Sequence, residues 1–345
     1  VTARDGAFLS ADEVWLDGWR GPSLLRVEGT TLEWVSPLAA SGESIRFHLQ
    51  GTVLGGFTDS HVHLGLIDPS GLVAAGIAHV VDLGGDPSEL ATLREQGQAD
   101  ATAVGVEFAG TFLTPPGGYP SDRSWAPAAS YAEVATPEES ESAIARLTGL
   151  GASRIKIAVN SVAGPVWSDS MLATVVAQAH AAGLPAVAHV EGAGETERAL
   201  RAGVDCLAHT PWTERLDDDV IAHLAARVSI CSTLDIHGYG DHDAGFAVAS
   251  DNLSRFAARG GRVLYGTDLG NGPLPVGLNE REIAALAAAG LDLDALVSSL
   301  VPRTARFRQR ISWIPSARPT DPADAVPWLS SSKVLPVSTL EETFA

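Results

Sequence analysis

His61 and His63 stand two residues apart at the end of the stretch Val-Leu-Gly-Gly-Phe-Thr-Asp-Ser-His-Val-His, residues 53–63. In an extended chain, side chains two apart point to the same side. The two imidazoles therefore project together and can hold one metal ion. Such a pair alone is a weak signal, because two surface histidines would give the same pattern. Four further residues add weight to it. Lys156 sits in Arg-Ile-Lys-Ile-Ala-Val (154–159), His189 closes Pro-Ala-Val-Ala-His (185–189), His209 closes Cys-Leu-Ala-His (206–209), and Asp268 follows Val-Leu-Tyr-Gly-Thr (263–267). Each lies in or at the end of an apolar run that reads as a strand. Each is a metal-ligand type or can be modified into one.

The elements that must position these residues follow from the hydrophobic pattern. Apolar runs at 53–58, 77–83, 102–108, 154–159, 185–190, 205–209, 228–234 and 262–267 read as strands. Between them lie Ala-rich amphipathic segments at 87–97, 138–149, 169–182, 194–202, 216–226, 247–259 and 279–289. Thr136-Pro137 ahead of Glu138-Glu139, and Asp86-Pro87 ahead of Glu89, are helix-start signals. Strands of continuous apolar character alternating with helices mean a parallel sheet buried on both faces. Eight repeats predict an α/β fold, a (β/α)8 TIM barrel over 53–304. An open doubly wound sheet is the alternative, but the first turn lacks its Gly-x-Gly-x-x-Gly fingerprint. Residues 1–52 are short β-rich runs separated by Gly and Pro, and with 305–345 they are expected to form a small β-sandwich-like module. The segment 110–135, with Pro-Pro-Gly-Gly-Tyr-Pro at 115–120 and Trp125, is either an active-site lid or a plain surface excursion.

In such a barrel the chemistry sits at the C-terminal ends of the strands, where His61, His63, His189, His209 and Asp268 fall. Chance would seldom place four of the ten histidines at three strand ends, so a metal centre is expected. A lysine flanked by Ile155 and Ile157 is costly unless its charge is removed or paired. Burial lowers its pKa, and the neutral amine can react with carbon dioxide to give a carbamate able to bridge two cations. The alternative is a side chain that reaches solvent or an acid. With the neighbouring strand-end ligands, carboxylation of Lys156 is the favoured reading. A metal lowers the pKa of bound water, and Asp268 can accept that water's proton as general base. Otherwise Asp268 would be a helix N-cap. His48, His79, His180 and His223 read as structural. His237 and His242 fall on a loop at the site rim. Tyr119, Asn160, Trp212 and His237 are the candidate substrate contacts, and Glu191 puts an extra carboxylate near the metals or the substrate.

Composition narrows the partners. The formal net charge of −19 argues against binding nucleic acid or anionic membranes. The chain has only two lysines, Lys156 and Lys333. Cys206 and Cys231 lie in apolar runs and read as buried free thiols, so no disulfide framework is indicated and a cytoplasmic setting fits. There is no 18-residue apolar span and no signal-peptide-like opening. A small-molecule substrate is expected. A homo-oligomer is left open, with no interface legible.

Taken in order, Gly55-Gly-Phe-Thr-Asp-Ser-His-Val-His63, Gly151-Ala-Ser-Arg-Ile-Lys-Ile157, the run His180 to His189, the run Ala199 to His209, and Tyr265-Gly-Thr-Asp268 resemble the amidohydrolase superfamily of metal-dependent hydrolases. The likeness covers roughly residues 10–310. Within it, 151–209 is most similar to the imidazolonepropionase-related and Xaa-Pro dipeptidase-like branch. The resemblance implies a binuclear metal centre. His61 and His63, with Asp268, would bind the more buried metal, and His189 and His209 the other. Carboxylated Lys156 and a hydroxide would bridge the two. Nitrogen and carboxylate ligands suit two divalent ions, with Zn2+ expected. The implied function is cleavage of a C–N bond in an amide, cyclic amide or dipeptide-like substrate by the bridging hydroxide, with Asp268 as general base. Alternatives on the same site are an esterase or lactonase, an organophosphate hydrolase, or a mononuclear deaminase, which would not need the bridging lysine. A non-catalytic binding protein would be expected to lack a ligand. The chain departs from the family at its C-terminal β segment, where Pro322-Ala-Asp-Ala-Val326 only faintly matches the usual pattern.

Overall fold

The computed structural model describes residues 7–35, 45–124, 126–301 and 306–340. The chain's opening residues, Trp125 and the outermost parts of the expected β module lie outside them.

The chain starts with β1 (Ala7–Val14), β2 (Ser23–Glu28), β3 (Thr31–Val35) and the long β4 (Ile45–Gly55). Alternating burial along β1 and β2 marks strands with one face in a core. The C-terminal β15 (Arg306–Arg308), β16 (Arg310–Ile314) and β17 (Lys333–Pro336) join them in one seven-stranded sheet of order β15-β3-β2-β1-β4-β16-β17. Leu9, Leu25, Leu32, Leu49, Phe307 and Ile311 form its apolar core. The expected pairing of the two ends of the chain is thus seen in the β4–β16 and β3–β15 registers.

Two parallel sheets carry the rest. The first has the order β5-β6-β7, from β5 (Thr58–Val62), β6 (His79–Asp82) and β7 (Gly105–Phe108). The second has the order β14-β13-β12-β11-β10-β8-β9. Its members are β8 (Phe112–Thr114), β9 (Tyr131–Glu133), β10 (Ile155–Asn160), β11 (Ala186–Glu191), β12 (Cys206–Leu207), β13 (Ser229–Cys231) and β14 (Arg262–Leu264). Backbone hydrogen bonds link the sheets on both sides. Ser60 N donates to Tyr265 O and Asp268 N to His61 O, while Ser153 N donates to Phe108 O.

The helices are α1 (Pro87–Ala99), α2 (Pro137–Leu150), α3 (Asp169–Ala181), α4 (Glu195–Ala202), α5 (Asp218–Arg227), α6 (Ala244–Ala258), α7 (Glu280–Ala288), α8 (Leu293–Leu300) and α9 (Ala325–Ser330). The start signals act as read: Thr136 and Glu139 form a reciprocal capping box on α2, and Asp86 accepts from Ser88 N ahead of α1. The apolar faces of α1–α8 and the parallel strands share one core.

Three expectations change. The run 53–58 is not one strand. Val53 to Gly55 end β4 in the module sheet, paired to Trp313 and Ile311, and the first parallel strand starts at Thr58. The break falls at Gly56, where an added Cβ would come within 2.7 Å of Ala78 Cβ. The segment 110–135 is not wholly irregular, since β8 and β9 pair within it. No helix follows Asp268, so its role is not that of an N-cap. Cys206 and Cys231 are buried and free, with their sulfurs 3.9 Å apart. No helix of the described residues is long and apolar enough to cross a membrane.

Candidate metal centre

β5 delivers the first two imidazoles. His61 and His63 are 1% and 6% exposed. The backbone settles which nitrogen of each faces inward. His61 Nδ1 donates to Ala208 O at 2.7 Å, and His63 Nδ1 donates to Gly84 O at 2.9 Å. A ring nitrogen that donates to a carbonyl carries the proton, so in the neutral ring the lone pair is on Nε2. Both Nε2 atoms turn toward Asp268 Oδ1, at 3.1 Å for His61 and 3.0 Å for His63. For His61 that approach is close but not aligned as a hydrogen bond, and its buried Nε2 has no hydrogen-bond partner. An unpartnered lone pair on a buried ring nitrogen fits a ligand atom for a cation.

His209 joins from the end of β12. Its Nδ1 lies 2.9 Å from Thr233 Oγ1, which leaves Nε2 for the centre. One ligand atom each from His61, His209 and Asp268 lie within 4.8 Å of one another. The His61 and His209 rings are 4.6 Å apart, and the His189 ring stands edge-on to His209 at 5.0 Å. His189 Nε2 is 3.4 Å from Glu191 Oε2, and Asn160 Nδ2 donates to that same oxygen at 2.6 Å. Asn160 Nδ2 also lies 3.3 Å from that Nε2, so Asn160 and Glu191 hold Nε2 and Nδ1 is the other ring nitrogen of His189 left to bind.

Lys156, 1% exposed, lines the same space. Its ammonium lies 5.3 Å from the centre of the Phe112 ring and pairs with no carboxylate among the described residues. Burial pulls its pKa down to about 8, against the partial support of Asp268. A fraction of neutral amine is therefore present near neutrality. Burial likewise presses His61 down to about 4 and holds His209 well below the usual range. For Asp268, burial opposes ionisation, but the nearby His61 and His63 outweigh it and hold the carboxyl well below the usual range. His63 is the partner drawn upward, because its hydrogen bond and charge interaction with Asp268 exceed the cost of burial. An ionised carboxylate and imidazoles with Nε2 turned inward supply the donor atoms a divalent cation needs once His63 gives up its Nε2 proton. The donor set fits such an ion.

Several residues that hold this arrangement were not singled out from the sequence. Asp59, fully buried, accepts from His61 N at 3.1 Å, Thr267 N at 3.0 Å and Thr267 Oγ1 at 2.5 Å, tying the first parallel strand to the segment before Asp268. Asp82 accepts from Leu64 N and Gly84 N, which sets the Gly84 carbonyl that fixes His63. Its place as the lone acid ending an apolar strand was a usable signal. Thr233 and Asp268 both hold positive φ, 43° and 61°. Strain of this kind persists at sites where the surroundings over-determine it. Thr233→Val removes the Nδ1 partner of His209 while keeping the shape of the side chain. It should weaken metal binding about 10–100-fold with little change in melting temperature, as read by competition with a chromogenic chelator.

The cavity over these ligands has a volume of about 190 Å³. Tyr119 and Trp212, two of the four expected substrate contacts, line it, together with Phe112, Glu191, Ile236 and Asn271. Tyr119 stacks on His189 with ring centres 4.9 Å apart, so the 110–135 segment does reach the site. Asn160 and His237 are not among the described lining residues. Asn160 spends its side chain on Glu191 and on the amides of Val162 and Ala163. His237 packs behind Trp212, with ring centres 5.2 Å apart. Asn271, which donates to Asp268 Oδ1 at 3.0 Å, was not expected from the sequence.

No family model and no curated protein matches the chain. Solved structures do. A Xaa-Pro dipeptidase with methionine bound in its active site superposes with a TM-score of 0.72 at 17% identity, covering 97% of this chain and 99% of that one. An ochratoxinase from A. niger gives a TM-score of 0.76 at 15% identity, covering 96% and 94%. A prolidase complexed with N-methylphosphonate-L-proline gives 0.70 at 19% identity, covering 97% and 98%. Another matching structure is that of a protein described as an amidohydrolase, with a TM-score of 0.72 at 18% identity. The chain shares the amidohydrolase fold. At these identities the likeness is one of architecture, and function has to be argued from the amidohydrolase-fold chain's own side chains.

Proposed function

We propose that this chain is a binuclear metal-dependent hydrolase of C–N bonds, acting on an amide, cyclic amide or dipeptide-like substrate. The observation that carries the reading is the convergence of His61, His209 and Asp268 around a buried, unpartnered His61 Nε2. The joins between the two parallel sheets support a closed (β/α)8 barrel whose strand ends present these groups. The domain split at 52/53 and 304/305 is retained as a proposal, with β4 running across the first boundary.

His61, His63 and Asp268 would hold one ion and His189 and His209 the other, with Lys156 as its carbamate between them. Two divalent ions, zinc by ligand type, supply Lewis acidity toward a carbonyl oxygen and a lowered pKa for water. The residues do the rest. Asp268 takes the proton of the attacking water and returns it to the departing nitrogen, as general base and then acid. Asn271 orients the Asp268 carboxylate by donating to Oδ1. Trp212, Phe112 and Tyr119 wall the substrate and exclude bulk water. The small cavity suits a substrate of amino-acid or dipeptide size. The methionine and proline-analogue ligands of two neighbours point to the same class.

The test is elemental analysis of protein expressed with zinc and bicarbonate, followed by a screen of dipeptides, N-acyl amino acids and lactams. The expected result is about two metals per chain and amide hydrolysis that a chelator abolishes and added metal restores. Full activity in metal-free protein would reject the reading. An ester turned over far faster than its matched amide would move it to the esterase alternative.

A further inference from the structure

A second cavity is larger than the one over the metal ligands. It has a volume of about 590 Å³ and lies at the opposite ends of the parallel strands, facing the β module. Thr58, His79 and Gly105, at the starts of β5, β6 and β7, line it, and so do Arg154 ahead of β10 and Arg262 at the start of β14. Arg308 and Arg310 reach it from β15 and β16.

Its charge runs against that of the chain. The described lining residues include four arginines and a single carboxylate, Glu107, in a protein of net charge −19. Glu107 is taken up by a close ion pair with Arg154. Arg262, Arg308 and Arg310 pair with no carboxylate among the described residues. Arg310 is the telling one. It is 1% exposed, its terminal nitrogens donate to Gly97 O, Asp100 O and Gln309 Oε1, and its Nε has no hydrogen-bond partner. The adjacent His79 cannot serve as a counter-charge, since an imidazole is neutral or positive. The charge of Asp100 offsets part of its burial, yet no carboxylate bonds it among the described residues, and its Nε is left without a partner.

We propose that this cavity binds a small organic dianion, a phosphoryl or dicarboxylate head on an apolar body. The arginine fork matches carboxylate and phosphate oxygens in pairs, and Arg262 and Arg308 bring exposed forks to the same space as the buried Arg310. Val106, Leu264 and Phe307 supply apolar wall. The volume falls in the range of about 300–1,000 Å³ usual for small-molecule sites. This site is separate from the metal centre, and it stands whether or not the hydrolase reading holds.

The experiment is isothermal titration of the metal-loaded full chain with phenyl phosphate, phthalate and benzyl alcohol, at ionic strength matched with sodium chloride. Saturable binding of at least one dianion, and none of the neutral alcohol, is expected. Binding of phenyl phosphate alone names a phosphoryl ligand, and binding of phthalate alone a dicarboxylate. Arg262→Gln with Arg308→Gln, both at exposed and unpaired positions, should weaken that binding at least about tenfold and leave the melting temperature unchanged. Arg262→Gln alone should weaken it in the same direction. Heats no greater than the salt control overturn the proposal. So does undiminished binding in the double variant, because the dianion would then be held elsewhere, as at the metals.

Discussion

Asp268→Asn should lower kcat for amide hydrolysis by at least about 10³-fold, toward the upper part of the range for positioned acid–base groups, while the protein stays folded. The substitution is chosen for its backbone. Asp268 sits at φ 61°, and asparagine is among the few residues that adopt this conformation readily. Alanine there would mix a backbone penalty with the loss of the carboxylate. Asparagine keeps an oxygen that can face His61, His63 and Asn271, but it cannot accept a proton from water. Circular dichroism and the melting temperature should match the parent, and single-turnover rates with a saturating substrate should isolate the chemical step. A variant that retained a tenth of the parent rate would remove Asp268 from the role of general base.

Lys156→Met should separate stability from function. A lysine held at about pH 8 in place of the usual 10.5 carries a charging cost on the order of 3 kcal/mol. The sign follows from its depressed pKa: the cost is fully present below pH 8 and is relieved as pH rises from 8 to 10.5. Methionine fills a similar volume with no charge. Metal-free Lys156→Met should therefore be as stable as metal-free parent at pH 7, or more so, in urea unfolding. The advantage should shrink as the pH rises through 8 to 10.5. Metal content should fall from about two to about one per chain, and hydrolysis by about 10²-fold or more. Full activity in the variant would make Lys156 a packing residue, and full activity with one metal bound would favour a mononuclear mechanism.

These two residues also show how far the sequence could be read. Lys156 and Asp268 were legible because a charge inside or just beyond an apolar strand has few innocent explanations. The His61–His63 pair was legible through the period of a strand. The atoms that orient the ligands were not. The carbonyls of Ala208 and Gly84 fix His61 and His63, and every residue has a carbonyl. Asn160 was expected to face the substrate because it closes the fourth strand of the alternation, yet the neighbouring Glu191 and two backbone amides claim its side chain. α8 went unread because it follows α7 after only a short turn in a continuous Ala- and Leu-rich stretch. Its start signal, Asp292 accepting from Ala295 N, was there to be found. The end of β4 was read as barrel because an apolar run does not say which of two sheets it will join.

The bonds from Asp59 to Thr267 bridge 208 positions of chain, and the ligands themselves run from His61 to Asp268. During synthesis the N-terminal residues leave the ribosome long before their partners exist. A nascent chain bearing His61 and His63 has no Asp268 to complete the triad, so its affinity for a cation stays low until the last parallel strand is made. Contacts of such long sequence separation form late and slowly. On the proposed function, metal loading would be a final step of maturation, and a chain cut short before residue 268 would lack hydrolase activity whatever its earlier elements had folded into.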